Sequence, residues 1–373
     1  MTNVRFSEAV VIGAGPAGLG AAIGLARAGI GVTVFERNEA LGSERRGETI
    51  RFNRDMEDIL GAGFFDCIAR CRISRRRYYS HSGRCFVDRT ISNPNIIFNW
   101  PDLIGIMADE AVKSGASIRT GIRVERLVSR GGRIEGVIAE SAEGLSETAS
   151  ALVISCGGHD DPASQQMNID RTGLDMPVLK MLVKGYAGPG DRLEYHFHLE
   201  DRGLIVGAIF PRGNGEAEII LLDTAGSGKP LSFEGFSRGH SCFEEQIRGA
   251  VPFYTLNTLI PMGGMIYPFM PRPGLAMAGD ALGHVQARGG SGIRTSFLIG
   301  HTAGKIAATY LHAGGFTAEN QARFEKELLH HPEVKSLRRH NLIFLSLRAR
   351  LFGLVGTPRN MDLFWPVLKA ALR

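Results

Sequence analysis

The alternation of apolar and polar positions divides the chain into three kinds of stretch. Short apolar runs at Ala9–Ile12 and Leu275–Ala278 predict buried strands, the first suited to the middle of a parallel sheet, and Val32–Phe35 predicts a second strand. Val124–Leu127, Ile134–Ile138 and Leu152–Cys156 predict further strands beside them. From Met176 to Leu222 the pattern changes to period two (LVKGYA, LEYHFHL, LIVGAIF, EIILL), which predicts an antiparallel sheet carrying Tyr195, His196 and His198. Met56–Ile68 has helical spacing, and Asp102–Ser114 predicts a helix with Leu103, Ile106, Met107, Ala111 and Val112 on one face. ARCRISRRRYYSHSGRCFVDRT, between those two, predicts strands around a Ser-Gly turn. The pattern is helical again from Thr317 to the end.

Composition narrows the class without naming a function. With 373 residues, 44% hydrophobic and 22% charged, the chain is expected to fold with a large core. The start has no basic segment followed by an apolar one and no run reaches 18 apolar residues, so a cytoplasmic protein is expected. Glu333–Arg373 holds eight basic residues against two acidic ones, more than the whole-chain surplus of +5, so the body offers no footprint for nucleic acid. The arginines at 70, 72, 75, 76 and 77 are the local exception, as a solvated face or an entrance for an acidic substrate. Five cysteines at irregular spacing, and two strand histidines without a carboxylate partner, predict no metal site.

The chemistry concentrates in two glycine-rich stretches. EAVVIGAGPAGLGAAIGLARAGIGVTVFER reads as strand, tight turn, helix and strand, with Gly13, Gly15 and Gly18 as G-x-G-x-x-G. The first glycine permits the turn, the second lets a pyrophosphate approach the backbone, and the third lets helix and strand pack closely. Glu36 ends the second strand, where a carboxylate can accept both ribose hydroxyls of an adenosine. This predicts an adenine dinucleotide. The second stretch, GLAMAGDALGHV followed by ARGGSGI, decides between NAD and FAD. Asp280 at a strand end can hold a ribityl hydroxyl, while Gly289, Gly290 and Gly292, ahead of a helix from Ile293, can bring backbone against a second phosphate and the isoalloxazine edge.

GDALGHVQARGGSGI is similar without a gap to the GDAAGFVNPLTGEGI of the geranylgeranyl reductase group of FAD-dependent oxidoreductases, within the p-hydroxybenzoate hydroxylase fold superfamily. RRGETI at 45–50 resembles that group's C-G-E segment, and GLIVGAIFP at 203–211 resembles its Y-x-W-x-F-P stretch. The resemblance implies an α/β protein: a Rossmann-like FAD-binding domain (1–75, 100–165, 262–315) interleaved with an antiparallel-sheet substrate domain (76–99, 166–261), plus a C-terminal helical segment (316–373). It implies FAD contacts at Gly13, Gly15, Gly18, Glu36, Arg37, Arg45, Val124, Gly279, Asp280, Gly290, Gly292 and Ile293. Arg46 and Glu48 are catalytic candidates because the resemblance places them near the flavin, and His284 is a third because it follows the Gly279-Asp280 motif, from which it is expected to reach the ring region. The sequence departs from the group at Arg46 (cysteine there), Ala208 (tryptophan), Ser155-Cys156-Gly157 (Ala-Asp-Gly) and Gln286-Ala287 (Asn-Pro).

Two enzyme readings follow. One is hydride transfer between flavin N5 and an apolar, isoprenoid-like small molecule, with electrons from an external donor, NAD(P)H or a redox protein. The other is a monooxygenase of the aromatic hydroxylase type using a flavin hydroperoxide. Halogenation calls for W-x-W-x-I-P, and the two tryptophans are Trp100 and Trp365. A flavin-carrying scaffold is the non-enzymatic reading. The basic, apolar C-terminal helix is expected to pack on the FAD domain or a second subunit; the other reading is peripheral docking on anionic membrane.

Overall fold

The computed structural model describes residues 5–45, 48–200, 203–224 and 230–355. Among these residues the strands form two sheets, of seven and eight strands. The first has Ser117–Arg119, Val32–Phe35, Arg5–Ile12 and Gly144–Ser155 side by side and parallel. Gly144–Ser155 changes partner along its length. Its first half pairs antiparallel with Arg133–Ser141, which continues to Arg123–Arg130, and its last three residues pair parallel with Leu275–Met277. The apolar runs read as strands are the fully buried centre of this sheet.

Two helices cross on this sheet at close range, Pro16–Arg27 and Ile293–His312. Their contact is lined by glycine: a Cβ on Gly20 would lie 2.3 Å from the Phe297 carbonyl oxygen, and one on Gly300 would lie 2.1 Å from that of Ala17. Gly24 and Gly304 repeat the arrangement one turn on. Only residues without a side chain permit such an approach, so the two helix starts are held side by side.

The second sheet runs in the order 251–261, 175–184, 216–223, 203–213, 192–200, 71–79, 85–97, 49–51. It is antiparallel except between Arg192–Glu200 and Cys71–Tyr79, which are parallel. The boundary expected at residue 75 therefore falls inside a strand, and Thr49–Arg51 is already paired into the second sheet. Tyr195 faces the space between the sheets while His196 and His198 face the opposite way, packed with the helices Phe233–Gly239 and Ser241–Ile247, because neighbours on a strand alternate faces.

Met56–Ile68 is two short helices, Arg54–Leu60 and Phe64–Ile68, because Gly61 and Gly63 take positive φ between them. The expected helix at 102–114 is Trp100–Lys113, whose buried face includes Ile104 and Ala108, while Val112 is exposed. Two helices, Ala318–His330 and Pro332–Val355, close the described chain, and none is long and apolar enough to cross a membrane.

Candidate active site

One cavity of about 1130 Å³ runs between the two sheets and reaches both glycine-rich stretches. At one end the strand Arg5–Ile12 turns through Gly13 into the helix that begins after Gly15. The three glycines are distinguished by what surrounds them. A Cβ on Gly13 would lie 2.6 Å from the Cys156 carbonyl oxygen, and one on Gly18 would lie 1.9 Å from that of Gly13. A Cβ on Gly15 would meet nothing within 4 Å. The middle glycine thus borders open space, with a helix start carrying no side-chain cap behind it. Free backbone N–H groups there suit an anion.

The second stretch completes the same space. After Leu275–Met277 the chain makes a tight turn, Gly279–Leu282, and Gly292 opens the helix Ile293–His312, again without a side-chain cap. Gly13, Gly15, Glu36, Arg37, Val124, Gly279, Asp280, Gly290, Gly292 and Ile293 all line the cavity. Two uncapped helix starts and a glycine with vacant space before it suit a dinucleotide with its second phosphate and ring.

A family model described as "FAD binding domain" matches residues 7–224. The chain belongs to the FAD-binding-domain family. It is an FAD-dependent oxidoreductase with the p-hydroxybenzoate hydroxylase-like fold. It is 26% identical to digeranylgeranylglycerophospholipid reductase 2 of Methanopyrus kandleri, across 86% of this chain and 82% of the relative. It is 26% identical to menaquinone reductase of Mycolicibacterium smegmatis, across 98% of this chain and 88% of the relative. A geranylgeranyl bacteriochlorophyll reductase-like protein from Thermoplasma acidophilum has a similar structure, with TM-score 0.80 and 16% identity over 94% of this chain and 88% of that one.

In this flavoprotein the Glu36 carboxylate accepts hydrogen bonds from the Ala14 and Asn38 backbone N–H groups, each at 2.9 Å, and from the Asn38 side chain at 2.8 Å. These fix it at the strand end before any ligand arrives. Arg37 pairs with Asp160 at 3.4 Å. Arg45 does not line the cavity; its guanidinium lies 3.5 Å from Glu48 and over the Tyr254 ring.

The three catalytic candidates separate. Arg46 lies outside the described residues. Glu48 borders the cavity, but its carboxylate is bonded to the buried Arg212, which also donates to the Phe98 carbonyl oxygen (3.2 Å) and the Asn99 side chain (2.7 Å). Burial pushes the Arg212 guanidinium below its ordinary range. Glu48 is therefore half of a buried joint between the 45–50 segment and the second sheet.

His284 is fully buried and does not line the cavity. In place of the expected reach toward the flavin ring, its Nδ1 accepts the Gly279 N–H at 3.0 Å and braces the tight turn. Burial alone pushes its pKa down to about 3, so the imidazole is neutral.

Several site residues escaped the sequence reading. Arg171 donates to the Asp280 and Ala281 carbonyl oxygens at 3.1 and 2.8 Å while chelated by Asp175. Asp161 accepts from Ser155 (2.7 Å) and the Gly157 N–H (2.8 Å) and fixes the Ser155-Cys156-Gly157 turn. Asn341 accepts from the Ala287 N–H and donates to the Val285 carbonyl oxygen, both at 2.9 Å. The C-terminal helix thus packs on the 285–287 loop, and His340, Ile343 and Phe344 line the cavity.

The second sheet supplies the far wall. Tyr78, Tyr195, Phe197, Val206, Ile220 and Leu222 are apolar or aromatic there. Within that wall Lys180 and Glu218 form an ion pair at 2.7 Å, each almost wholly buried. At the opposite edge of the sheet are Arg51, Arg76 and Arg89, the last two directly across from each other. The arginine run at 70–77 is thereby sorted. Arg75 and Arg77 pair outside with Asp88, Arg70 with Glu216 and Arg72 with Asp66, and Arg76 alone of the five lines the cavity.

Proposed function

We propose that this oxidoreductase reduces a carbon–carbon double bond in an isoprenoid-like lipid carrying an anionic head group. The observation that carries the reading is the far wall of the cavity: an apolar sheet face with the arginine cluster at one edge and one buried ion pair within it. Burial, followed by the nearby Arg76, pushes the Arg51 guanidinium below its ordinary range, with Arg288 and Arg294 adding to the effect. Cations facing one another across strands repel, and an anionic head group would relieve that cost. Apolar walls would hold the chain and exclude water.

FAD, when bound at the glycine stretches, supplies hydride chemistry at N5. This chain's residues do the rest. Gly15 and Gly292 would admit the phosphates, Glu36 and Asp280 would hold ribose and ribityl hydroxyls, and Val124 would meet the adenine edge. Asp161 and His284 keep the two turns in shape, and Glu48 with Arg212 holds the 45–50 segment against the second sheet. Reduction adds a hydride to one carbon and a proton to the other, and an isolated isoprenoid double bond has no group to hold a carbanion, so the proton must arrive with the hydride or before it. Lys180, paired with Glu218 in the apolar wall, would give that proton from Nζ. Electrons would enter from an external donor, NAD(P)H or a redox protein.

The mouth supports lipid entry. Leu342 and Ile343 are exposed beside cavity-lining His340 and Phe344, on a helix that also carries Lys335, Arg338 and Arg339. We place peripheral contact with anionic membrane at this helix.

The test is a single turnover without oxygen. Chemically reduced protein mixed with a geranylgeranylated phospholipid should reoxidise its flavin and return a lipid carrying one more pair of hydrogens. A lipid consumed only after oxygen is admitted, with an oxygen atom gained, would replace this reading with the monooxygenase.

A further inference from the structure

The far face of the second sheet, turned away from the cavity, carries a cluster that the proposed reaction does not use. His196 faces this side, with its ring stacked on Tyr79 at 4.5 Å. Its Nδ1 lies 3.6 Å from the Cys242 Sγ, and its Nε2 lies 3.8 Å from the Glu194 carboxylate. Glu194 is fully buried and held by Arg192 (2.7 Å) and the Tyr79 hydroxyl (3.1 Å). His240 sits at the junction of the helices Phe233–Gly239 and Ser241–Ile247, with Nε2 3.1 Å from the Phe197 carbonyl oxygen. One ligating atom from each of His196, His240 and Cys242 lies within 4.8 Å of the other two.

We propose that His196, His240 and Cys242 form a binding site for one Zn²⁺ ion, with a fourth position left to water. The donor set is two imidazoles and a thiolate, which suits zinc better than a hard cation. Two ligands at Zn–N and Zn–S bond lengths on a tetrahedral ion stand about 3.5 Å apart, close to the His196–Cys242 separation.

The outer contacts match as well. A metal-ligating imidazole usually donates its other N–H to a carbonyl or carboxylate. His240 has the Phe197 carbonyl oxygen for this, and the Nε2 of His196 faces the Glu194 carboxylate at 3.8 Å, an ion-pair distance rather than a hydrogen bond. With Nε2 of His240 so engaged, its Nδ1 carries the lone pair, and that atom is buried without a hydrogen-bond partner. Ligation takes the neutral imidazoles and the thiolate, so the incoming ion must displace the Cys242 thiol proton. Occupied, the site would clip the two short helices to the strand Arg192–Glu200.

The full chain with its FAD is stripped with a chelator and titrated with Zn²⁺ alone, then with Co²⁺. Expected are one Zn²⁺ per chain, a raised Tm, and a thiolate-to-cobalt charge-transfer band with ligand-field bands of tetrahedral Co²⁺. Cys242→Ser should abolish the charge-transfer band, and Glu194→Gln should weaken binding by about 10–100-fold. His240→Gln should lose the ion as well, so the assignment rests on either ligand variant that keeps its FAD. His81→Gln should change neither stoichiometry nor band. His240 also belongs to a second group, with His81 and His198. Co²⁺ bound without a charge-transfer band and lost in His81→Gln would move the ion there and overturn the assignment, and an absence of stoichiometric metal would overturn the site altogether.

Discussion

Lys180 Nζ lies 2.7 Å from Glu218 Oε1, both side chains almost wholly removed from solvent, in a wall otherwise built of Val178, Ile220, Leu222 and Ile260. An ion pair in such a wall is weak support for stability, because removing both charges from water costs about as much as their attraction returns. In the proposed reaction its value would lie in the proton it gives to a bound substrate.

Lys180→Met should therefore act twice. The single variant leaves the Glu218 carboxylate buried and unpaired and should lower stability by about 3–5 kcal/mol. Lys180→Met with Glu218→Leu should regain most of that loss, since two apolar side chains then meet. Turnover should stay lost in the double variant although FAD is bound. Denaturant melts and turnover measured on all three proteins check this; recovered turnover in the double variant would remove Lys180 from the reaction.

Gly15 and Gly18 should respond in opposite ways to the same added side chain. In Gly15→Val the new atoms enter open space, so the fold should survive and FAD occupancy should fall. In Gly18→Val the first new carbon collides with the Gly13 carbonyl oxygen, so the chain should fold poorly or not at all. Visible absorbance and the melting temperature of the apoprotein distinguish the two.

His284 makes stability depend on pH in a stated direction. Its pKa is about 3 in the folded protein and 6.5 unfolded, so the unfolded chain binds the extra proton between those values. The stabilisation from keeping it neutral is present above pH 6.5 and is lost as pH falls toward 3, by about 1.4 kcal/mol per unit. Urea unfolding at pH 7 and pH 5 should show a loss of about 2 kcal/mol from this residue, and His284→Gln should flatten the slope.

Leu342→Asp, at an exposed position that does not line the cavity, should weaken binding to anionic liposomes while leaving the flavin spectrum unchanged. Salt should weaken the parent protein's binding, since the basic residues act through charge. Equal binding before and after substitution would place membrane contact elsewhere.

The cofactor end of the site was legible because its signals are local. A positive-φ turn, an uncapped helix start and an acid at a strand end are each written within a few residues, and Gly13, Gly15, Glu36 and Asp280 line one cavity, while Gly18 packs against the Gly13 carbonyl behind it. The substrate end was not legible in the same way. Period two shows that Tyr195 and His196 face opposite ways, but not which of them looks into the cavity. Lys180 inside PVLKMLVK and Glu218 inside AEIILL were visible as charges in apolar strands, yet their pairing depends on the register between 175–184 and 216–223. Glu48 with Arg212, and Asn341 with the 285–287 backbone, join residues far apart in the chain, and no spacing rule brings them together.

The glycine-lined crossing of Pro16–Arg27 and Ile293–His312 has a consequence for how this molecule can change. Helix positions whose missing side chains let two backbones touch tolerate no enlargement, and they hold in place both of the helix starts that border the cavity. The strands 192–200 and 203–213 are held together by backbone hydrogen bonds, and the apolar side chains they turn into the cavity, such as Tyr195 and Ala208, can be exchanged for others of similar volume without moving those helix starts. Directed variation for a new substrate should therefore succeed on the eight-stranded sheet. On the helix pair, the same mutational load should yield mostly colourless protein.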